Sequence, residues 1–165
     1  MRVLGIDTSL RQTGFGVVDA EGSRMKSIEY GDIPVPATQP HSVCLTRIDT
    51  VLRDVIARTK PDAASIEGIF FCRSVRTAIV LGEARGVAIA ACARAGIPVF
   101  EYEPRRMKLA LVGFGGAQKS QVAKMVVRLL GLKEEPPEDA ADALGLAICH
   151  IQSRSSIAAL NTKPI

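Results

Sequence analysis

An α/β fold around a mixed five-stranded sheet is what this chain predicts, on three observations. Short apolar runs of strand length alternate with longer segments whose apolar residues recur at helical spacing. The first three strands follow one another through short connections and so pair antiparallel, whereas the fourth and fifth are each reached through a helix and so run parallel. The right-handed crossover rule then sets the first and fourth strands side by side. The 165 residues suffice for one domain with a full core. Hydrophobic residues make up 47% with no Trp, so that core is aliphatic and alanine-rich.

Residues 2–7 form a nearly continuous apolar run, the mark of a central strand buried on both faces. Residues 14–19 and 25–33 are the next two strands, joined through Glu21-Gly22-Ser23 as a hairpin. Pro34, Pro36 and Pro40 mark a loop. Over 42–60, Leu45, Ile48, Leu52, Val55 and Ile56 keep helical spacing, Asp49–Arg53 and Asp54–Arg58 pair at i,i+4 on the outer face, and Pro61 stops the helix. Residues 63–67 are the fourth strand. The long helix over 75–95 is rich in small residues; Gly82 and Gly86, four apart, suggest that another backbone comes close, from the sheet or from a second subunit. Residues 99–102 are the fifth strand, 103–111 a short helix, and 118–130 a helix with Val122, Met125, Val126 and Leu129 inward. A last helix begins close to Pro137, because proline is favoured at the first helical position. Residues 1–153 make one domain and 154–165 a polar, flexible tail.

Charge and composition exclude several classes. Twenty-one basic residues against 17 acids is a mild excess that does not by itself establish nucleic-acid binding. No apolar run approaches the ~18 residues of a membrane span, so no membrane partner is expected. The first residues lack a signal-peptide layout, and Cys44, Cys72, Cys92 and Cys149 show neither C-x-x-C nor zinc spacing. Buried thiols in a reducing cytoplasm follow. His41 and His150 stand too far apart in sequence to suggest a histidine-based zinc site.

The chemistry is carried by acids. On the last helix Asp139 and Asp142 sit at i and i+3 and project from one side. Ala140, Ala141, Leu144, Ala147, Ile148 and Ile151 form one apolar face, and the aspartates share the other with Ala143, Leu146 and Cys149. No Lys or Arg lies three or four residues from either; Asp139 has Glu135 and Asp142 has Glu138. At about 4 Å and an effective dielectric of 20, each such like-charge contact costs about 4 kcal/mol. A helix dipole serves Asp139 but Asp142 less well, so dipole and metal weigh evenly for the pair alone. Asp7 and Glu67 each end a strand. Taken singly, such an Asp accepts backbone N–H bonds in a turn. Taken together, with the first and fourth strands adjacent and the last helix across them, Asp7, Glu67, Asp139 and Asp142 converge without histidine or thiol. That is a hard-oxygen site for Mg²⁺ or Mn²⁺. Two such ions stabilise the attacking and leaving oxygens of a phosphodiester hydrolysis, in which activated water attacks and no protein nucleophile is needed. The basic residues fit the same substrate. Arg73, Arg76 and Arg85 follow Glu67, Arg105, Arg106 and Lys108 share a short helix, and Lys119, Lys124 and Arg128 mark the next. Each alone reads as a solvated surface charge; as a set they form a phosphate track. Phe70-Phe71, by default core plugs, could here stack on unpaired bases.

Gly5-Ile6-Asp7, Ile66-Glu67-Gly68-Ile69-Phe70, Leu81-Gly82-Glu83-Ala84-Arg85-Gly86-Val87, Lys108, Gly115-Gly116-Ala117-Gln118-Lys119-Ser120-Gln121-Val122 and Asp139-Ala140-Ala141-Asp142-Ala143-Leu144 together resemble the RuvC family of bacterial Holliday junction resolvases, in order, to about His150. The resemblance implies a ribonuclease H-like fold and a homodimer that cuts two strands of like polarity symmetrically across a four-way DNA junction with Mg²⁺. It implies metal-binding and catalytic roles for Asp7, Glu67, Asp139 and Asp142, with two ions per subunit. Lys108 and Lys119 match basic residues near the scissile phosphate, Lys119 with a catalytic part, and Phe70 the aromatic at the junction centre; Phe71, Arg73 and Arg76 would add DNA contacts. The implied partners are a junction-binding tetramer and an ATPase ring that drive branch migration, in recombination and repair. Three positions depart from the family pattern: Thr8-Ser9 where Pro-Gly is usual, Gly68 where Gln or Glu is common, and Ser74 where Asn is expected. All lie off the metal ligands, and the last two bear on sequence preference at the cut.

Two rivals remain. Gly-Ile-Asp-Thr-Ser also opens non-catalytic partner proteins of a tRNA-modification complex with a related fold, but that reading predicts neither a second acid after the fourth strand nor a D-x-x-D helix. An ATP-binding domain of the actin and sugar-kinase type needs two domains and a much longer chain.

Overall fold

The computed structural model describes residues 1–68, 74–154 and 163–165. Within them run β1 (Arg2–Asp7), β2 (Gln12–Glu21), β3 (Arg24–Pro34), α1 (His41–Thr59), β4 (Ala63–Glu67), α2 (Val75–Arg94), β5 (Val99–Tyr102), α3 (Pro104–Val112), α4 (Lys119–Leu130) and α5 (Glu138–Arg154). The sheet order is β3-β2-β1-β4-β5. β1 pairs antiparallel with β2 and β2 with β3, while β4 runs parallel to β1 and to β5. The expected mixed sheet, and the adjacency of the first and fourth strands, are borne out.

Local signals set the helix ends. α2 starts where the Ser74 hydroxyl accepts from the Thr77 N–H at 3.1 Å. α4 starts in a capping box between Gln118 and Gln121. α3 and α4 stop at Gly113 and Gly131, whose positive φ values of 79° and 63° suit a residue without Cβ. β2 and β3 extend further than the apolar pattern indicates, because their last residues are a hydrogen-bonded ladder with exposed side chains.

The period-two alternation of the strands sorts the core into two layers. Leu4, Ile6, Val17, Ala64 and Ile66 face α1 and α2. Val3, Val18, Ala63, Phe100 and Tyr102 face α3, α4 and α5. Continuing the odd-numbered parity, Asp7 and Glu67 point to the second side, as Ser65 does when its hydroxyl donates to the Leu146 carbonyl of α5 at 2.8 Å.

α5 is enclosed nearly all round: between Ala140 and Ile151 every residue but Asp142 is buried. It lies directly on backbone. A Cβ at Gly5 would sit 1.8 Å from the Ala143 carbonyl oxygen, and one at Gly14 would sit 2.1 Å from that of Asp139. These two strand glycines let the helix touch the sheet, and Gly16 makes room for Leu144 in the same row. Gly82 and Gly86 play no such part among the described residues, where nothing lies within 4 Å of a Cβ built on either. Cys44, Cys92 and Cys149 are buried free thiols. Among the described residues no helix is long and apolar enough to cross a membrane.

Candidate active site

Three elements deliver the acids. β1 and β4 end side by side on Asp7 and Glu67, and α5, resting on Gly14 next to Asp7 in the sheet register, presents Asp139 and Asp142 from its first turns. Burial pushes the Asp7 carboxyl up to about 7, and Glu67, Asp142 and Asp139 push it the same way against Lys119. Glu67 is raised by burial and then by Asp142, with Lys119, Lys108 and Arg85 opposing. Asp142 is also raised by burial, although Lys119 holds it down. Asp7 therefore feels the charge of each of the other three expected acids.

Lys119 is the local counter-charge. From the first turn of α4 its Nζ reaches Glu138 Oε1 at 2.5 Å and Asp142 Oδ2 at 3.4 Å, contacts that raise its own pKa. A cleft of about 240 Å³ opens here between Lys119, Glu135, Glu138 and Asp142. Among the described residues no three of His, Cys, Asp and Glu are drawn together into a metal's coordination shell. The four acids share one face of the sheet, at the ends of β1 and β4 and the start of α5. The donor set consists of carboxylates, which fits Mg²⁺ or Mn²⁺ and not zinc or copper.

The basic residues divide. Arg76, Lys124 and Arg128 are exposed, and Lys108 is half-buried with its charge felt by Glu67. Arg106 stacks over the Tyr102 ring, 5.0 Å from its centroid, and Nη2 donates to Ser153 Oγ at 3.5 Å. Arg85 does not join the expected phosphate track: only 12% exposed, its guanidinium binds the Glu67 carbonyl and the Glu101 carboxylate. Phe70, Phe71 and Arg73 lie outside the described residues.

One acid was missed from the sequence. Asp32 on β3 is paired with Gly14 and so flanks Asp139 from the side opposite Asp7. Burial and Asp139 raise it, while the Ala140 N–H and the Gln12 side chain hold it down. Its signal was an acid within a predicted strand, at a position whose facing only the register reveals.

Comparison with known proteins places this arrangement. Residues 3–150 match the family model described as crossover junction endodeoxyribonuclease RuvC. A protein of that name from Brevibacillus brevis is 46% identical over 158 residues, covering 95% of each chain. Another, from Chloroflexus aggregans, is 46% identical over 91% of this chain and 92% of its own. The solved structure of Thermus thermophilus RuvC in complex with Holliday junction substrate superposes with a TM-score of 0.92 at 35% identity, covering 100% of this chain and 99% of the other. The fold and its gathered acids define a ribonuclease H-like nuclease. More narrowly, the chain belongs to the RuvC family of crossover junction endodeoxyribonucleases. The non-catalytic rival is not favoured, since both features it lacks, the Glu67 acid and the Asp139/Asp142 helix, meet on one face of the sheet.

Proposed function

We propose that this chain resolves four-way DNA junctions in recombination and repair, nicking two strands of like polarity symmetrically as a Mg²⁺-dependent homodimer. One observation carries the reading: Asp7, Glu67, Asp139 and Asp142 come together from three elements, with Lys119 ion-paired to Asp142. Divalent ions bound there, two per subunit and with Mn²⁺ able to replace Mg²⁺, would activate water and stabilise the leaving oxygen. The protein's own contribution is placement. Asp7 and Glu67 are held by strands and Asp139 and Asp142 by a helix, so the ligands resist their mutual repulsion. Lys119, released from Glu138 and Asp142 as cations take over their charge, would turn to the scissile phosphate. Lys108 and Arg76 would bind the backbone beside it, and Arg73, Phe70 and Phe71 would add contacts to the junction.

The dimer is supported by α2. Val75 and Ile79 are 78% and 57% exposed, and Gly82 and Gly86 continue the same stripe at helical spacing with open space above them. An apolar, close-approach face of this kind suits a second copy. The nuclease domain expected over 1–153 extends at least to Arg154, the last residue of α5, and the Ile165 N–H donates to the Val99 carbonyl at 2.9 Å; the enzyme works in the cytoplasm with the junction-binding and ATPase subunits of a branch-migration complex. The test is incubation with a synthetic mobile four-way junction and with linear duplex, with and without Mg²⁺. Paired symmetric nicks on the junction alone, dependent on Mg²⁺, are expected; equal cutting of the duplex, or none of either, overturns the reading.

A further inference from the structure

Four carboxylates that repel one another cannot hold their own positions, so each needs an external restraint. Asp7 has strands on both sides, paired with Gly14 across to β2 while its neighbour Ile6 pairs with Ile66 of β4. Asp139 and Asp142 are fixed by the seating of α5 on Gly5 and Gly14. Glu67 is the last residue of a five-residue strand, paired with Tyr102 of β5 but beyond the end of the β1–β4 ladder. Its backbone is held by two contacts that flank it. The Gly68 N–H donates to the Tyr102 carbonyl at 2.9 Å. On the other side Arg85 Nη1 donates to the Glu67 carbonyl, while Nη2 pairs with the Glu101 carboxylate.

Glu101 sits opposite Ile66 in the β4–β5 register. The Arg85 fork therefore clamps the end of β4 to β5 and both strands to α2. We infer that Arg85 is a positioning residue: it fixes the peptide plane of Glu67 and so the direction in which that carboxylate enters the acid cluster. Arg85 lies between Gly82 and Gly86 on α2, so the helix that sets Glu67 is also the helix whose open face suits a second copy. Docking of the dimer and placement of the metal ligand thus share one rigid element. This rests on the metal-dependent reading above, and its primary readout needs no DNA.

The test uses the full-length protein carrying Arg85→Gln, Arg85→Lys or Glu101→Gln. Mn²⁺ binding is measured by calorimetry without DNA, junction affinity in EDTA, and single-turnover cleavage across a Mg²⁺ titration. Loss of an orienting partner typically weakens metal affinity about 10–100-fold, so R85Q should weaken Mn²⁺ binding by about 10-fold and move the Mg²⁺ titration equally, leaving junction affinity unchanged. Lys keeps the charge but loses the planar fork that spans the two acceptors, and R85K should fall between. E101Q should act in the same direction and less. A folded R85Q with wild-type Mn²⁺ affinity overturns the inference, as does a fall in junction affinity with metal binding intact, which would return Arg85 to the phosphate track. If R85Q does not fold, E101Q decides, and unchanged Mn²⁺ binding there overturns it. Wild-type protein that binds Mn²⁺ but leaves junctions uncut would refute the proposed substrate, while the calorimetry would still judge Arg85.

Discussion

The two ends of α5 bury titratable groups under opposite rules. At its C-terminal end His150 is fully enclosed, with Nδ1 2.9 Å from the Tyr102 hydroxyl and the Phe100 ring centroid 4.5 Å away. Burial pulls its pKa down to about 4, so the ring is neutral near pH 7. One hydrogen bond at Nδ1 and one lost proton discharge that end, although Nε2 is buried without a hydrogen-bond partner among the described residues. At the N-terminal end Asp139 and Asp142 meet Asp7 and Glu67, and Lys119 offsets only part of the charge. A fold keeps a buried ionisable group at little cost when the group can discharge. Keeping several that cannot all do so marks a place where charge is to come from outside.

The sharpest way to break this contrast is to remove a charge at the acid end. Asp7→Asn or Asp142→Asn should lower junction cleavage by roughly 1,000-fold, about 4 kcal/mol of barrier, with junction binding retained in a gel-shift assay. Full activity in either variant would falsify the role assigned to these acids. Lys119→Ala removes the counter-charge, and should slow single-turnover cleavage by about 100-fold while junction affinity falls far less. Equal losses in rate and affinity would reduce Lys119 to general electrostatics.

Proton linkage gives an intermediate effect. The Asp7 carboxyl stands at about 7 in the fold against 3.8 outside it. Its raised value means that protonation favours the folded state: this stabilisation is complete below pH 4 and is lost as pH rises through 7, about 4 kcal/mol in all. The gap in Tm between Asp7→Asn and wild type, without metal, should therefore widen in favour of the variant from pH 5 to pH 8. Cleavage runs the other way, since a metal ligand must be ionised. At limiting Mg²⁺ the rate should fall about tenfold per pH unit below 7. The smallest effect belongs to the opposite end of the helix. Tyr102→Phe should cost about 1 kcal/mol in denaturant melts and leave the cleavage rate unchanged.

Much of this was legible in the residues. Element order, the parallel β1–β4 pair and the acids closing both strands follow from periodicity, proline positions and crossover handedness. Other features depend on contacts between segments far apart in the chain. Gly14 reads as an ordinary strand glycine until α5 is seen resting on it, and Asp32 as a surface acid until the register sets it beside Asp139. Arg85 looks like one more basic residue in a run of them. Only its burial against the Glu67 carbonyl removes it from the DNA-facing set.

The glycine seat under α5 has a consequence for how the protein tolerates change. Because that helix meets β1 and β2 main chain to main chain, the separation between the strand-borne and helix-borne carboxylates is a peptide-to-peptide dimension. Aliphatic residues elsewhere can be exchanged, loosening or tightening the protein, without altering it. A single methyl group at residue 5 or 14 would lift the helix and re-space the acids together. Robustness of the fold and accuracy of the cut are thus governed by separate sets of residues, and an engineer wishing to retune the second would begin with two glycines.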